Sequence, residues 1–477
     1  MARIRPESSG FRYAGRRLSS AGVRAGTATG PQYAGAMSRS TALHTDRYEL
    51  TMLDAALRDG TASRRCVFEV FGRRLSGGRR FGVVAGTGRL LEAIRDFRFG
   101  DDELRYLRDN RVVDATTLDF LADYRFTGSV TGYREGEVYF PGSPLLTIEG
   151  TFAEAVLLET LALSILNYDS AVATAAARMS VAAGDRPLAE MGSRRASEEA
   201  AVAAARAAYI AGFSATSNLE AGRRWGVPTM GTAAHAWTLL HDSEEDAFRS
   251  QVDALGAGTT LLIDTYDITE GVKTAVRVAG THLGGVRIDS GDLPIVAGEV
   301  RALLDELGAT NTRITVTSDL DEYALAALAA SPVDSYGVGT SVATGSGVPT
   351  AGLVFKLVAR EAADGSWVGV AKASAQKASH GGRKAAFRTV DSGTATSELV
   401  VVSDGFEELS TAAEHPDARA LQAMLMQNGE ADAGALGSAG VQAARAHHSR
   451  VREELPVRAL ALSKADPALP TEYREAV

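Results

Sequence analysis

The chain has 477 residues, of which 45% are hydrophobic and 23% charged, an ordinary composition for a globular protein long enough for two or more domains. Its formal net charge of -9 argues against a fold built to wrap nucleic acid, so any phosphate binding must come from local basic sites. A single cysteine, Cys66, excludes an internal disulfide and a thiolate metal cluster, and no run approaches the roughly 20 apolar residues of a membrane span.

Residues 1–36 differ in composition from the rest of the chain. They are rich in Arg, Ser and Gly and contain one acid, Glu7. They lack the apolar segment of a secretory signal and resemble a transit peptide in composition, although a flexible tail, or Met37 as the working start, is the favoured interpretation. We expect a disordered or non-native extension at residues 1–36 and a cytoplasmic protein.

Residues 37–150 mix helices with short strands. Residues 45–60 predict a helix, with Asp46 as its cap and Gly60 as its end. Two strand-like runs, residues 66–73 and 80–86, are joined by RLSGG and predict a hairpin. Helical segments follow, and residues 135–150 predict two strands around a Pro-Gly turn. The pattern predicts an N-terminal α+β domain.

Residues 151–354 begin with a long apolar helix or helix pair at 151–184. From about residue 187, strands alternate with helices without hairpin turns, which predicts parallel strands and crossover helices. An open doubly wound sheet and a closed barrel both fit. We favour an irregular α/β barrel, because polar residues follow nearly every strand.

Residues 355–477 contain short alternating runs and a helical tail. These runs predict strands that return to the first domain. The fold class expected for the chain is therefore α/β, an irregular α/β barrel with a second mixed α+β domain formed by the N-terminal and C-terminal segments.

The ends of the predicted parallel strands carry polar or glycine residues, and in a barrel these ends form the working face. In chain order they are Gly192, Ser193, Arg194, Arg195; Gly231, Thr232, His235; Asp264, Thr265, Tyr266, Asp267; Arg287, Asp289, Ser290, Gly291, Asp292; Ser318, Asp319; Gly337, Gly339 and Thr340.

The segment VRIDSGDL gathers an arginine and two aspartates. Alternation along a strand places Arg287 and Asp289 on one side. An arginine can grip a carboxylate or phosphate through two parallel hydrogen bonds, and Asp289 or Asp292 could take sugar hydroxyls or Mg²⁺. A structural salt bridge is the alternative.

The segment YGVGTSVAT allows close approach of an anion to the backbone. Gly337 and Gly339 remove side chains and Thr340 adds a hydroxyl, so the loop could hold a terminal phosphate or be a plain turn. Arg194 and Arg195 are adjacent, and adjacent surface arginines are usually only solvated.

His235 follows a Gly-Thr turn and lies in the first turn of a predicted helix. An isolated histidine there is more often a core or capping residue. The helix start, however, favours added negative charge by about 0.3–1 kcal/mol, and a neutral imidazole is a competent nucleophile. Both features fit a histidine that accepts a phosphoryl group.

Taken together, the chain resembles the nicotinate phosphoribosyltransferase family through much of residues 41–390. The resemblance rests on TDRYELTML, FPGSPLLTIEG, MGSRRA, AGFSATSNLEA, GTAAH, LIDTYD, VRIDSGDL, TSDLDEY, YGVGTSVAT, VFKLV and KASAQKASHGGRKAAFR. It implies an irregular α/β barrel with a second domain, and an ATP-dependent enzyme, classed as a ligase with glycosyl-transfer chemistry, in NAD salvage. The reaction would form nicotinate mononucleotide and pyrophosphate from nicotinate and 5-phosphoribosyl 1-diphosphate.

The resemblance also implies roles for individual residues. His235 would be the catalytic phosphohistidine, Tyr48 would stack on the pyridine ring, and Thr232 and Arg287 would bind nicotinate. Thr340 would bind the 5-phosphate of the sugar donor, with Gly339 beside it. Arg194 or Arg195 and Asp289 would help to hold the donor, nicotinate or Mg²⁺. ATP would be a co-substrate, and the protein would be a homodimer in which a partner subunit lends residues to the site.

Two departures and two alternatives accompany this resemblance. Gly381 replaces a proline common in the family, and residues 1–36 and those after about 400 match weakly or not at all. A phosphoribosyltransferase for quinolinate or nicotinamide is one alternative, although two carboxylates would demand more basic contacts and an amide would match Arg287 poorly. A non-catalytic phosphosugar-binding protein is the other.

Overall fold

The computed structural model describes residues 40–371, 380–403 and 418–475. The predicted extension at residues 1–36 lies outside the described residues, and so do residues 372–379 of the loop before Gly381. Within the described ranges no helix combines the length and apolarity needed to cross a membrane.

The α-helices of the described residues alternate with strands through the middle of the chain. They are α1 Arg47–Asp59, α2 Thr87–Arg95, α3 Asp101–Asp109, α4 Ala115–Ala122, α5 Phe152–Val156, α6 Glu159–Ala183, α7 Glu198–Ile210, α8 Leu219–Trp225, α9 His235–Leu240, α10 Glu244–Leu255, α11 Ile268–Ala279, α12 Leu293–Glu306, α13 Glu322–Ala327, α14 Thr340–Ala343 and α15 Gly437–Glu453.

The strands fall into one parallel and three antiparallel or mixed sheets. They are β1 Arg65–Gly72, β2 Gly82–Val83, β3 Ser129–Tyr133, β4 Val138–Tyr139, β5 Leu146–Thr151, β6 Leu188–Glu190, β7 Ala215–Thr216, β8 Thr260–Leu262, β9 Gly285–Ile288, β10 Arg313–Val316, β11 Ser335–Val338, β12 Leu353–Glu361, β13 Trp367–Gly369, β14 Arg383–Asp391, β15 Thr394–Ser403, β16 Ala418–Ala420, β17 Gln422–Gln427, β18 Glu430–Ala431 and β19 Thr471–Glu475.

Local signals fixed α1 as predicted. The Asp46 side chain accepts from the amide of Tyr48 at 3.4 Å, and Gly60 ends the helix with φ 80°, a left-handed conformation that glycine adopts at little cost. The predicted segment 151–184 is a helix pair, α5 and α6. The first half of α6 lies in the core beneath the antiparallel sheet and the second half in the core of the parallel sheet, so this helix joins the two cores.

A seven-stranded sheet draws on both parts of the chain, in the order β13-β12-β1-β5-β3-β17-β18. This confirms the second mixed domain built from N-terminal and C-terminal segments. The predicted hairpin of β1 with β2 is wrong, because β1 pairs with β12 and β5, and β2 pairs with β4. Nearly every residue of β1 is buried, so the strand is stabilised at the centre of a sheet rather than beside its neighbour in sequence.

A six-stranded parallel sheet forms the second layer, in the order β7-β6-β11-β10-β9-β8. The strand-helix alternation of the sequence is therefore confirmed. Residues 227–230, which precede the Gly-Thr turn, form only an isolated parallel bridge between Thr229 and Thr216, and Pro228 has no N–H to donate to a ladder. In the described residues no bridge joins Thr229 to β8, so hydrogen bonds do not close the barrel. The domain boundaries at residues 150 and 354 stay predictions.

Candidate active site

The carboxyl ends of the parallel strands meet at one edge of the six-stranded sheet, because strands joined by crossover helices all run the same way. A cavity of about 240 Å³ opens there. Its walls are formed by Met191, Arg194, Arg195, Arg287, Asp289, Thr317, Ser318, Asp319, Gly337, Gly339 and Thr340. Residues singled out in four separate sequence segments therefore share one cavity.

Arg287 is held at the end of β9 by contacts from another strand end. Its Nη1 donates to Oγ1 of Thr232 at 2.6 Å and to the carbonyl oxygen of Ala233 at 3.0 Å. Its Nε is buried and has no hydrogen-bond partner within the described residues. A buried donor left unpaired costs roughly 1–3 kcal/mol, so an acceptor that reached Nε would recover part of that free energy.

Asp289 lies between the arginine and the histidine. Its Oδ2 is 3.4 Å from Nη2 of Arg287 and 3.7 Å from Nε2 of His235, while its Oδ1 accepts from Oγ1 of Thr317 at 2.5 Å. The side chains of Arg287 and Asp289 lie on the same side of the strand end, as predicted. The salt bridge and the ligand-facing cavity are both present, so the two alternatives are not exclusive.

His235 is the first residue of α9, and 40% of its side chain is exposed. Its Nδ1 lies 3.1 Å from Oγ1 of Thr265, at the end of the neighbouring β8 segment. This contact fixes the orientation of the ring and leaves Nε2 on the side of Asp289. His241, six residues on, contacts the carbonyl oxygen of Trp237 through Nδ1 at 2.8 Å and stacks edge-on against that indole, which accounts for it structurally.

Glycine occurs at positions 337 and 339, at the end of β11, for two different structural reasons. A Cβ on Gly337 would meet Sδ of Met191 and Cγ2 of Thr317, each at 2.7 Å, so the packing of this cavity wall requires glycine. Gly339 is the position where bare backbone lies next to Thr340, the exposed first residue of α14. The expected close approach of an anion therefore rests on Gly339 and Thr340, and not on Gly337.

Arg194 and Arg195 are exposed in the loop that follows β6, and both line the cavity. The loop is fixed by the backbone bond from Arg195 to Gly192 at 2.8 Å and by Asn218, whose amide donates to Oγ of Ser193 at 3.0 Å. No ion pair engages either arginine among the described residues. Their charge is therefore directed to whatever enters the cavity.

Four expected residues do not line this cavity. Thr232 and His235 lie beside it, in contact with Arg287 and Asp289. Tyr48 lies on α1, 43% exposed, beside Glu159 and Thr160, and burial together with Glu159 raises the pKa of its phenol. Asp292 is the exposed residue that precedes α12. The chain on its own thus does not bring the expected ring-stacking residue to the expected nicotinate site.

Sequence reasoning missed a carboxylate beside the site. Glu244, the first residue of α10, has a buried Oε1 with no hydrogen-bond partner in the described residues, and burial with Asp264 and Asp267 nearby raises its pKa to about 7. Asp264 accepts from the Asp289 amide at 2.8 Å and from the Ser290 hydroxyl at 2.7 Å. In the sequence Glu244 is only one acid in a charged helix start, and no local signal distinguishes it.

The chain matches known proteins over most of its length. Residues 43–167 match the model of the nicotinate phosphoribosyltransferase N-terminal domain. Over 367 residues the chain is 61% identical to nicotinate phosphoribosyltransferase pncB1 of Mycobacterium tuberculosis, which covers 75% of this chain and 80% of that protein. It is 38% identical over 370 residues to the nicotinate phosphoribosyltransferase of Bacillus subtilis, with 75% of each chain covered.

The fold also matches a solved structure. The crystal structure of human nicotinic acid phosphoribosyltransferase superposes with a TM-score of 0.75 at 26% identity, and the match covers 90% of this chain and 97% of the human one.

Proposed function

The chain belongs to the nicotinate phosphoribosyltransferase family, and from that membership we propose that it joins nicotinate to 5-phosphoribosyl 1-diphosphate. The products are nicotinate mononucleotide and pyrophosphate. One observation supports this most directly: Arg287, tied to Thr232 at 2.6 Å, faces a cavity that also holds two exposed arginines and the Gly339-Thr340 loop. A carboxylate and a phosphorylated sugar are the ligands that such a set of cations and amides accommodates.

The chemistry needs positioning and charge stabilisation more than a catalytic base. The lone pair of the pyridine nitrogen forms the bond to the anomeric carbon, and the bond from that carbon to the diphosphate oxygen breaks, with its electron pair leaving on the diphosphate. Arg194 and Arg195 neutralise the departing charge, and Thr340 with the Gly339 loop holds the 5-phosphate. Arg287 binds the nicotinate carboxylate and so orients the ring.

ATP is proposed to act through His235. One imidazole nitrogen attacks the γ-phosphorus of ATP, ADP departs with the electron pair of the broken bond, and water later hydrolyses the phosphohistidine. Because Nδ1 is engaged with Thr265 at 3.1 Å, Nε2 is the nitrogen proposed to carry the phosphoryl group. The 3.7 Å separation of Nε2 from Asp289 then places the added negative charge beside a carboxylate that also contacts Arg287.

Mg²⁺ is proposed to enter with its phosphate ligands. The described residues contain no group of three or more His, Cys, Asp or Glu side chains able to hold a metal ion. The carboxylates of Asp289 and Asp292 nevertheless have the hard oxygen donors that Mg²⁺ prefers, and this ion commonly takes only one or two carboxylates together with substrate phosphates. When bound, it would supply charge neutralisation on the leaving diphosphate.

A homodimer would complete the site. Tyr48 is exposed on α1 and does not line the cavity of its own chain. We therefore assign its stacking role to the cavity of a second copy, which requires the two chains to pair with α1 of one near the strand ends of the other.

An acceptor assay of the purified full chain tests the proposal. Pyrophosphate release is measured with nicotinate, nicotinamide and quinolinate side by side, with and without ATP, against a blank lacking acceptor. Release that depends on nicotinate and rises with ATP is expected. Faster release with either other acceptor would assign the enzyme to that acceptor, and donor binding without release for all three would make it a phosphosugar-binding protein.

A further inference from the structure

A second cavity, the basic cavity, lies at the opposite end of β6 from the candidate active site. It has a volume of about 190 Å³ and is lined by Leu188, where β6 begins, whereas the active-site cavity is lined by Met191, just after β6 ends. Its walls come from the ends of α6 and α7 and from one face of α15. It is therefore separated from the candidate catalytic residues by the length of a parallel strand.

One face of α15 supplies the polar wall of this cavity. Arg445, His448, Ser449 and Arg452 have the spacing i, i+3, i+4 and i+7, which places their side chains along a single stripe of the helix. Arg186, from the segment that follows α6, lines the cavity from the other side.

The cavity has three cations and no acid in its lining. Nη1 of Arg445 donates to the carbonyl oxygens of Tyr209 and Phe213, while its Nη2 and Nε make no hydrogen bond in the described part of the chain. Burial, and then the nearby charge of Arg452, lowers the pKa of Arg445. Asp185 is adjacent in sequence to a lining residue, but it is exposed and does not line the cavity.

Of the three cavity arginines, Arg452 makes the fewest hydrogen bonds and ion pairs within the described residues. Its guanidinium has no ion pair or hydrogen bond among the described residues, unlike Arg186, which donates to the carbonyl oxygens of Leu328, Ala329 and Ser331. Two like charges brought together without a carboxylate cost free energy unless an anion lies between them. The structure thus leaves the donors of Arg445 and Arg452 available to a ligand.

His448 contributes an acceptor and no charge. It is 2% exposed, and its Nδ1 lies 2.9 Å from the carbonyl oxygen of Gly136, so that nitrogen carries the hydrogen. Burial lowers its pKa to about 4, which keeps the ring neutral at neutral pH. Its Nε2 is a buried lone pair without a partner in the described residues.

We propose that the basic cavity is a binding site for a phosphate group, either inorganic phosphate or the phosphate of a small monoester, held by Arg445 and Arg452. Guanidinium groups match phosphate oxygens in planar, two-point hydrogen bonds, and the hydroxyl of Ser449 adds a further donor. A cavity of about 190 Å³ has room for a phosphate with a small organic group.

Binding is tested by titrating the full chain with inorganic phosphate and with ribose 5-phosphate at constant ionic strength, while amide hydrogen exchange locates the protected segments. Phosphate is expected to slow exchange at residues 184–188, 211–213 and 445–452. Equal affinity for the two probes identifies recognition of the phosphate alone, and tighter binding of ribose 5-phosphate identifies a monoester site.

Two variants separate this site from the active site. Arg452→Gln removes a guanidinium that has no partner among the described residues, and Ser449→Asp places a carboxylate in an exposed position of the same stripe. Each is expected to weaken the binding that protects α15 by about tenfold or more, because Arg452→Gln loses a charge-assisted contact and Ser449→Asp adds a negative charge that repels the phosphate. Arg450→Gln, with the same charge change on another face of α15, is the matched control.

The proposal would be overturned if phosphate protected only the strand-end residues of the candidate active site. It would also be overturned if Arg452→Gln and Ser449→Asp left the protection of α15 unchanged. Thermal melts of all three variants against the parent chain establish that each is folded. Nicotinate turnover is not needed for the readout, so the test stands apart from the activity proposed above.

Discussion

Arg287 and Thr232, 55 residues apart in sequence, are joined by a hydrogen bond of 2.6 Å from Nη1 to Oγ1. The bond links the end of β9 to the Gly-Thr turn that precedes His235. It orients the guanidinium toward the strand-end cavity. The Gly-Thr turn therefore has a structural role, the positioning of Arg287, that the sequence pattern alone does not indicate.

Arg287→Ala is expected to raise the KM for nicotinate by about 10- to 100-fold, the loss of a charge-assisted hydrogen bond worth roughly 1.5–3 kcal/mol. The KM for the sugar donor should change little, since Thr340, Gly339 and the loop arginines remain. Initial-rate kinetics with each substrate varied in turn measure both. Arg313→Ala, at the opposite end of the adjacent strand β10, is the control. An equal loss for both substrates would contradict the assignment.

His235→Ala is expected to remove the stimulation by ATP while basal transfer survives. The alanine variant lacks the nitrogen proposed to accept the phosphoryl group, but it leaves Arg287 and the loop residues in place. Pyrophosphate release with and without ATP, and acid-labile phosphate after incubation with labelled ATP, are the measurements. His241→Ala, whose ring contacts Trp237, should respond to ATP normally. A His235→Ala enzyme with full ATP response would refute the phosphohistidine.

Mixing variants tests the shared site. If Tyr48 serves the cavity of a second copy, Tyr48→Ala and Arg287→Ala chains, each impaired alone, form mixed dimers with one intact site. An equal mixture after subunit exchange should then reach about a quarter of wild-type activity, by random pairing of two chains. Thr232→Ala mixed with Arg287→Ala should gain nothing, because the two residues are hydrogen-bonded to each other within one chain. Activity equal to the mean of the separate Tyr48→Ala and Arg287→Ala samples would contradict the role of Tyr48 in the cavity of a second copy.

The sequence predicted best what local chemistry decides. Asp46 and Gly60 define α1 from its own termini, and the strand-helix alternation predicted the parallel sheet with its polar ends at one edge. The partners of β1 could not be predicted, because they lie far along the chain at β5 and β12 and are selected by burial on both faces. The role of Glu244 could not be predicted for the same reason, because its environment comes from Asp264 and Asp267 on another segment.

Glu244 gives a pH dependence of stability with a definite sign. Its pKa is raised from 4.5 to about 7 in the folded state. Its contribution to stability is therefore fully present below about pH 4.5 and is lost as the pH rises through about 7, since the folded protein holds a proton that the unfolded chain has released. Glu244→Gln should accordingly raise the Tm relative to wild type at pH 8 and leave it unchanged near pH 4.

The neighbouring acid is a control of opposite sign. Arg277 and Arg249 lower the pKa of Glu245, so its contribution is present above its ordinary pKa and is lost as the pH falls. Glu245→Gln is expected to lower the Tm slightly at pH 8. Thermal melts of both variants between pH 4 and 8 make the comparison. A Glu244→Gln difference that is independent of pH would show that its carboxyl titrates normally.

The buried pair of Arg206 and Glu135 is expected to dominate the stability of the contact between α7 and the turn before β4. Nη2 of Arg206 lies 2.7 Å from Oε2 of Glu135, the arginine is 1% exposed, and the carboxylate also accepts from the amides of Gly86 and Gly88. Arg206→Met removes one partner and leaves the buried Glu135 carboxylate without a counter-charge, which lowers the free energy of unfolding by about 3–5 kcal/mol. Urea unfolding of the full chain measures this as a lower midpoint.

The double variant distinguishes a stranded charge from lost packing. Adding Glu135→Gln to Arg206→Met removes the uncompensated charge but keeps an acceptor for the Gly86 amide, so most of the lost stability should return. Arg223→Met breaks the exposed pair with Glu220 and should leave the midpoint nearly unchanged, because solvent already screens those charges. If the double variant were no more stable than Arg206→Met, the loss would come from the missing arginine's packing on Trp225, 5.3 Å from its ring centre, and not from the charge.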